Sequence, residues 1–349
     1  MALRDNIRRV VPYTPGEQPK EKVIKLNTNE CPYPPSEKVI KALREADYDR
    51  LRLYPDPACT GFISALSEYY GVDENKIFVG VGSDDVLSMC FLTFFNGNKP
   101  VLFPDITYSF YDVWAEVYRI PYRQIPLRED FTIDPKDYRA ENGGIVIANP
   151  NAPTGIAEKR ETIETIIRDN PESVVIVDEA YVDFGGETVL DLIDKYSNLV
   201  VVRTMSKSRA MAGMRLGYAF GDAELIKYLN DVKFSVNSYT LNMPSLIAGE
   251  AAIRDRGYFE EITEKVKATR ERVKKELKDR GFEFADSSTN FIFASNPRYH
   301  ASEIFEKLKK KGIYVRYFNK PRISEYLRIS VGTDEQMDVF IRALDEIMG

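Results

Sequence analysis

A chain of 349 residues is long enough for one large domain and a smaller one. With 44% hydrophobic and 29% charged residues and a net charge of −6, it reads as an ordinary globular chain, and the balance argues against a nucleic-acid footprint or a polybasic membrane patch. One histidine, His300, and three cysteines without metal-ligand spacing rule out a histidine-rich zinc site and leave proton chemistry to Lys, Tyr, Asp or a cofactor.

The start, MALRDNIRRV, lacks the apolar core of a secretory signal. The greasy run 86–95 is too short to span a bilayer, so no membrane partner is expected and a reducing cytoplasm is the simplest setting. The first stretch, rich in Pro and charge, reads as an extended arm. Residues 36–46 predict a short helix with Ser36 as N-cap, and Tyr54-Pro-Asp-Pro predicts a turn. Nearly all-apolar runs at 76–80, 100–104, 144–149, 173–178, 198–203 and 216–221 predict strands. Helical patterns at 84–95, 109–117, 158–169 and 222–232 lie between them, which predicts a mainly parallel sheet covered on both faces. After Met243-Pro244 a long charged helical stretch runs to about Lys278, followed by FEFA, NFIFAS, IYVRYF and YLRISVG with helices among and after them. The fold class expected is α/β with a large, mainly parallel unit and a smaller α+β unit. The divisions expected are 1–35 for the arm and the start of the small domain, 36–243 for the large domain and 244–349 for the small one.

Open α/β sheets bind ligands beyond the carboxyl ends of their strands, and four such ends carry unusual residues. Gly80-Val-Gly-Ser-Asp-Asp85 joins a strand to a helix start, which is either an ordinary capped turn or a cradle for phosphate. Asn149-Pro-Asn-Ala-Pro-Thr-Gly155 is a rigid polar turn. Val177-Asp178-Glu179-Ala180-Tyr181 delivers a carboxylate at the tip of an apolar strand, where burial is costly without a partner. In Thr204-Met-Ser-Lys207 a lysine sits in a loop of small residues, with Arg215 eight residues on. These groups suit pyridoxal phosphate, which needs a lysine for its aldehyde, an acid at its ring nitrogen, a donor at its ring oxygen, a stacking ring and phosphate donors. Lys207, Asp178, Tyr181 and Tyr108 can fill the first four roles; the backbone N–H groups of Gly82, Ser83 and Asp84, with Ser206 and Arg215, can fill the last.

The order GVGSDD, NPNAPTG, VDEAY, TMSKSRAMAGMRLGY and LRISVGT resembles the fold-type I, pyridoxal-phosphate-dependent aminotransferases of classes I and II over nearly the whole chain. PYTPG, KLNTNECPYPPS, LYPD, NFIFA and GIYVR resemble the branch of that family that uses histidinol phosphate. The resemblance implies transamination from histidinol phosphate to 2-oxoglutarate, with an aromatic amino-acid aminotransferase and a threonine-phosphate decarboxylase as alternatives of the same fold. It implies that Lys207 carries the cofactor as a Schiff base and Asp178 pairs with the pyridine nitrogen. It further implies a homodimer in which Tyr54 reaches the partner's cofactor phosphate. Arg328 matches the arginine that binds the amino acid's carboxylate; Arg316 and Tyr13 would meet a substrate phosphate, and Asn29 would join the substrate site. Two departures stand out. Ala152 replaces the Asn that usually contacts the ring oxygen, leaving that role to Asn151 or to Tyr181 alone, and Cys31 replaces a frequent Asn.

Overall fold

Consecutive Val and Ile residues are buried at every position of the central strands, as expected for a sheet covered on both faces. The computed structural model describes residues 6–349. A short strand β1 (Ile24–Leu26) comes first. The central sheet is built from β2 (Ile77–Gly80), β3 (Val101–Pro104), β4 (Tyr122–Ile125), β5 (Gly144–Ala148), β6 (Val175–Asp178), β7 (Leu199–Thr204) and β8 (Gly217–Gly221). Its order is β2-β8-β7-β6-β5-β3-β4. The pairs joining β4, β3, β5, β6 and β7 are parallel. Strand β8 runs antiparallel to both β2 and β7. No α-helix occupies the connection 205–216, so the chain returns beside β7 without a parallel crossover.

Helices α1 (Glu37–Arg44), α2 (Thr60–Tyr70), α3 (Gly82–Phe94), α4 (Tyr111–Tyr118), α5 (Arg160–Asp169) and α6 (Ala223–Val236) clothe this sheet. One face is covered by α3, α4 and α6 through Phe91, Trp114 and Leu229, and the other by α1, α2 and α5 through Val39, Phe62 and Ile166. Ser36 caps α1, its hydroxyl accepting from the Val39 N–H at 3.3 Å. Helix α7 (Met243–Arg254) also packs on α1 and α2, with Ala248 and Ile253 in the large core.

The smaller unit is built on α8 (Arg256–Asp279), β9 (Glu283–Phe284), β10 (Phe291–Ser295), α9 (Ala301–Lys310), β11 (Ile313–Tyr317), β12 (Tyr326–Ser330) and α10 (Asp334–Met348). Its sheet runs β1-β11-β12-β10-β9 over a core of Val273, Leu308, Ile329 and Phe340. Strand β1 pairs parallel with β11, Ile24 opposite Ile313, so the end of the arm is part of the small sheet. Among the described residues no helix is long and apolar enough to cross a membrane.

Candidate active site

The parallel strands β5 and β6 end side by side, Ala148 opposite Asp178, and Asp178 is in turn level with Val202 of β7. A cavity of about 330 Å³ lies at these tips, where the peptide groups of adjoining loops are free to face a ligand. It brings together Ser83, Asp84, Tyr108, Asp178, Tyr181, Ser206, Lys207 and Arg215 of the expected set, with Thr28 and Glu30 from the segment after β1.

Asp178 is buried at the end of β6. Its Oδ2 accepts the Tyr111 hydroxyl at 2.9 Å and its Oδ1 accepts the Ala180 N–H at 3.1 Å. Burial pushes its carboxyl up to about 6 against those two hydrogen bonds. Sequence reasoning did not single out Tyr111. The available signal was a hydroxyl at the start of YDVWAEVY, on the stripe it shares with Trp114 and Ala115.

Lys207 Nζ lies 3.4 Å from the Thr28 carbonyl oxygen and 5.6 Å from the centre of the Tyr181 ring. It forms no ion pair among the described residues, so its amine is free to meet a carbonyl carbon. The Thr204 hydroxyl accepts the Ser206 N–H at 3.1 Å and donates to the Ser206 hydroxyl at 3.0 Å, which fixes the turn leading into Lys207. A buried ion pair between Arg203 Nη2 and Glu179 Oε2, 2.7 Å apart, ties β7 to the residue after Asp178. The tip that carries the acid and the loop that carries the amine are therefore clamped together.

Helix α3 begins at Gly82, whose φ of +83° is the left-handed region open to glycine. A Cβ there would sit 2.5 Å from Arg215 Nη2. Arg215 reaches Asp84 Oδ2 at 3.2 Å, and the Tyr108 hydroxyl donates to Asp84 Oδ1 at 2.8 Å. A helix start, a guanidinium and the Ser206 hydroxyl thus converge at one end of the cavity, a suitable cradle for a phosphate.

Other expected residues lie off the cavity wall. Asn151 has its amide turned away: Nδ2 donates to the Ile106 carbonyl at 2.9 Å and to Thr154 Oγ1 at 3.0 Å, while Oδ1 accepts from Thr107 at 2.8 Å. Pro150 and Ala152 face the cavity instead, which leaves Tyr181 as the ring-oxygen candidate. Asn29 stands behind Tyr181, donating to its hydroxyl at 2.9 Å and accepting from Ser330 Oγ at 2.9 Å. It orients Tyr181 and does not line the cavity. Tyr54 is 80% exposed and stacks on Tyr239 with ring centres 4.5 Å apart, in a separate hollow of the same chain.

Arg316 and Arg328 are direct partners across the antiparallel pair β11–β12. Arg316 donates to the carbonyls of Thr14 and Pro15 at 3.1 and 3.4 Å. Arg328 donates to the Asn27 carbonyl at 3.0 Å, and its buried Nε has no partner. Neither forms an ion pair with a carboxylate among the described residues. Burial first, and then Arg316 beside it, push the Arg328 guanidinium below its ordinary value despite Tyr181 nearby. Like charges facing each other across a ladder are unfavourable, and an anion between them would relieve that repulsion. Tyr13 packs on Phe110, ring centres 4.2 Å apart, and lines a larger hollow with Arg316 and Phe318.

The donor set fits pyridoxal phosphate. It offers an amine without an ion pair, a buried carboxylate held by neutral donors, the Tyr108 ring and a phosphate cradle. Among the described residues no cluster of His, Cys, Asp and Glu could hold a metal ion.

Comparison with known proteins agrees with that fit. The family described as "Aminotransferase class I and II" matches residues 21–344. The chain is 49% identical to a histidinol-phosphate aminotransferase of Clostridium beijerinckii over 345 residues, 99% of this chain and 96% of that one. It is equally 49% identical to one of Lactococcus lactis subsp. cremoris over 349 residues, 100% of this chain and 98% of that one. Among solved structures, the histidinol-phosphate aminotransferase of Sinorhizobium meliloti in complex with pyridoxal-5'-phosphate superposes with a TM-score of 0.88 at 24% identity, covering 97% of this chain and 95% of that one. An L-threonine-O-3-phosphate decarboxylase of Porphyromonas gingivalis shares the fold at a TM-score of 0.79 and 22% identity, over 93% of this chain and 99% of that one. From the strand-tip cavity to the matched length, the observations agree: the chain belongs to the class I and II aminotransferases.

Proposed function

We propose that the enzyme moves the amino group of histidinol phosphate to 2-oxoglutarate, giving imidazole acetol phosphate and glutamate, with pyridoxal phosphate held at Lys207. The observation that carries this reading is the Arg316–Arg328 pair, two facing guanidiniums without a carboxylate partner among the described residues. Histidinol phosphate has no carboxylate. Its phosphate is the dianionic group that calls for two guanidiniums, whereas the single negative charge of an α-carboxylate needs one. On the return half, Arg328 would meet the α-carboxylate of the 2-oxo acid. The relatives that share about half of this sequence carry the histidinol-phosphate name.

Lys207, Asp178, Tyr181, Tyr108, Ser83, Ser206 and Arg215 would hold pyridoxal phosphate, which supplies an aldehyde for the amine and a protonated ring that draws electron density from the α-carbon. With the cofactor held there, Lys207 Nζ would take the proton from the donor's α-carbon as a base and then return it as an acid. Asp178 is the residue for the ring nitrogen. Its carboxyl is raised by burial in the free protein, and a cation beside it favours the anionic form. The Tyr181 hydroxyl, accepting from Asn29, keeps its own proton for the ring oxygen. Both half-reactions use one set of groups, so the kinetics are ping-pong. The active form is a homodimer in which Tyr54 serves the partner's phosphate cradle. The unpaired thiols of Cys31, Cys59 and Cys90 suit a reducing cytoplasm.

Borohydride reduction of the yellow protein followed by peptide mapping tests the anchor: label on Lys207 is expected, and label on another lysine refutes it. Specificity constants for histidinol phosphate, histidinol and phenylalanine test the substrate. Arg316→Ala is expected to lower the first by about tenfold to hundredfold and to leave the others nearly unchanged. A wild type that prefers phenylalanine outright would replace this reading with an aromatic aminotransferase.

A further inference from the structure

Most of the cavity wall already has a task. One end cradles phosphate, Asp178, Tyr108 and Tyr181 surround a ring, and Lys207 supplies the amine. The remaining lining residues with polar side chains are Thr28 and Glu30. Thr28 stands close to the reacting centre, its carbonyl 3.4 Å from Lys207 Nζ, and Glu30 lines the same cavity two residues on. Glu30 is held rather than loose: Lys25 Nζ donates to its two oxygens at 2.7 and 2.6 Å, and the Thr28 hydroxyl donates at 2.9 Å. Burial tends to raise its carboxyl, but the hydrogen bonds from Lys25 and Thr28 outweigh it and keep the group below its ordinary value, with Lys207 adding to the effect. It is therefore anionic at neutral pH, with its side chain 43% exposed.

The α-carbon of histidinol phosphate carries an amine, a hydrogen, a phosphate-bearing arm and an imidazole-bearing arm. The amine must replace Lys207 Nζ, and the phosphate belongs to Arg316 and Arg328. The ring is left to the polar lining without another task, Thr28 and Glu30. We propose that Glu30 is the specificity residue for the ring, accepting an imidazole N–H and so selecting an N–H-bearing ring over a phenyl ring of similar size. This rests on the histidinol-phosphate reading and names the group that reads its side chain. The gain over phenyl follows from chemistry: a carboxylate facing a ring without a donor loses solvation and receives no hydrogen bond in return.

The test uses two ligands that bind without reacting because they lack the amine, 3-(imidazol-4-yl)propyl phosphate and 3-phenylpropyl phosphate. Their dissociation constants are measured by calorimetry on the holoenzyme of wild type, Glu30→Gln and Glu30→Leu. Wild type is expected to bind the imidazolyl ligand at least about tenfold more tightly. Glu30→Gln, which keeps shape and an acceptor but not charge, should lose part of that preference. Glu30→Leu should reverse it, with the phenyl ligand bound as well as before or better. If both ligands weaken by the same factor in both variants, Glu30 only tethers Lys25 and Thr28, and the proposal is overturned. If Glu30→Leu keeps the wild-type preference while phosphate-dependent affinity is intact, Glu30 alone is wrongly assigned. If wild type holds neither ligand but transaminates phenylalanine, the histidinol-phosphate reading falls and the role of Glu30 with it.

Discussion

Tyr111 and Asp178 show how one hydroxyl can set the working state of an acid. Removing the hydrogen bond with Tyr111→Phe takes away a contact to a charged group, of the class that contributes roughly 1.5–3 kcal/mol. Turnover should fall about tenfold with little change in KM, because the ring nitrogen loses its orientation and the substrate anchors do not; steady-state kinetics will check it. Asp178 itself makes a pH-dependent prediction in the cofactor-free protein. Its folded value near 6 stands above the ordinary 3.8, so the folded state keeps a proton that the unfolded state gives up. Stability from this group is therefore lost as pH rises from about 4 to 6 and stays lost above. Asp178→Asn should stabilise the cofactor-free protein at pH 7 by on the order of 3 kcal/mol and do nothing at pH 4, measured by urea unfolding. The same variant should lose most of its turnover with cofactor bound.

At the scale of elements, the phosphate cradle depends on how closely β8 approaches the start of α3. A Cβ on Gly217 would lie 2.3 Å from the Ser83 nitrogen and from the Gly82 carbonyl carbon, all backbone atoms that cannot yield alone. Gly217→Ala should cost roughly 2 kcal/mol and weaken pyridoxal phosphate binding, read as a lower melting temperature and a higher dissociation constant for the cofactor. The strands β5, β6 and β7 were legible because each is an apolar run ending in a polar tip, and the acid and amine at those tips came with them. What was hidden depended on direction or partner. Strand β4 (YRQI) buries only its Ile125, so no apolar run marks it. Pro244 at the start of α7 reads as a boundary, yet Ala248 and Ile253 join the large core, and only packing decides that. In NPNAPTG the composition announces a rigid turn, but not which of Asn151 and Ala152 faces inward. Tyr111 was concealed by its neighbours, since a tyrosine in an aromatic cluster looks like core until its hydroxyl is followed to Asp178.

At the scale of the whole molecule, Leu51, Leu53, Tyr54, Phe234, Val236 and Tyr239 are exposed, and the stacking of Tyr54 on Tyr239 brings two of the segments together. Such side chains suit a surface that a second copy covers. If Tyr54 serves the partner's site as proposed, mixed dimers of Lys207→Ala and Tyr54→Ala would carry one site with both residues intact. Random reassociation of equal amounts should therefore recover about a quarter of wild-type activity, and verified heterodimers without activity would rule out shared sites. The facing arginines of β11 and β12 reach further than substrate choice. Any small oxyanion that settles between them relieves their repulsion and binds only the folded chain, so solution composition becomes a control on heat resistance. Inorganic phosphate at a hundred times its dissociation constant would add about 2.7 kcal/mol to the free enzyme, and the rise in melting temperature should vanish in Arg316→Ala. The same ion competes with the donor, so a phosphate buffer would protect the enzyme in storage and mask its affinity in assay.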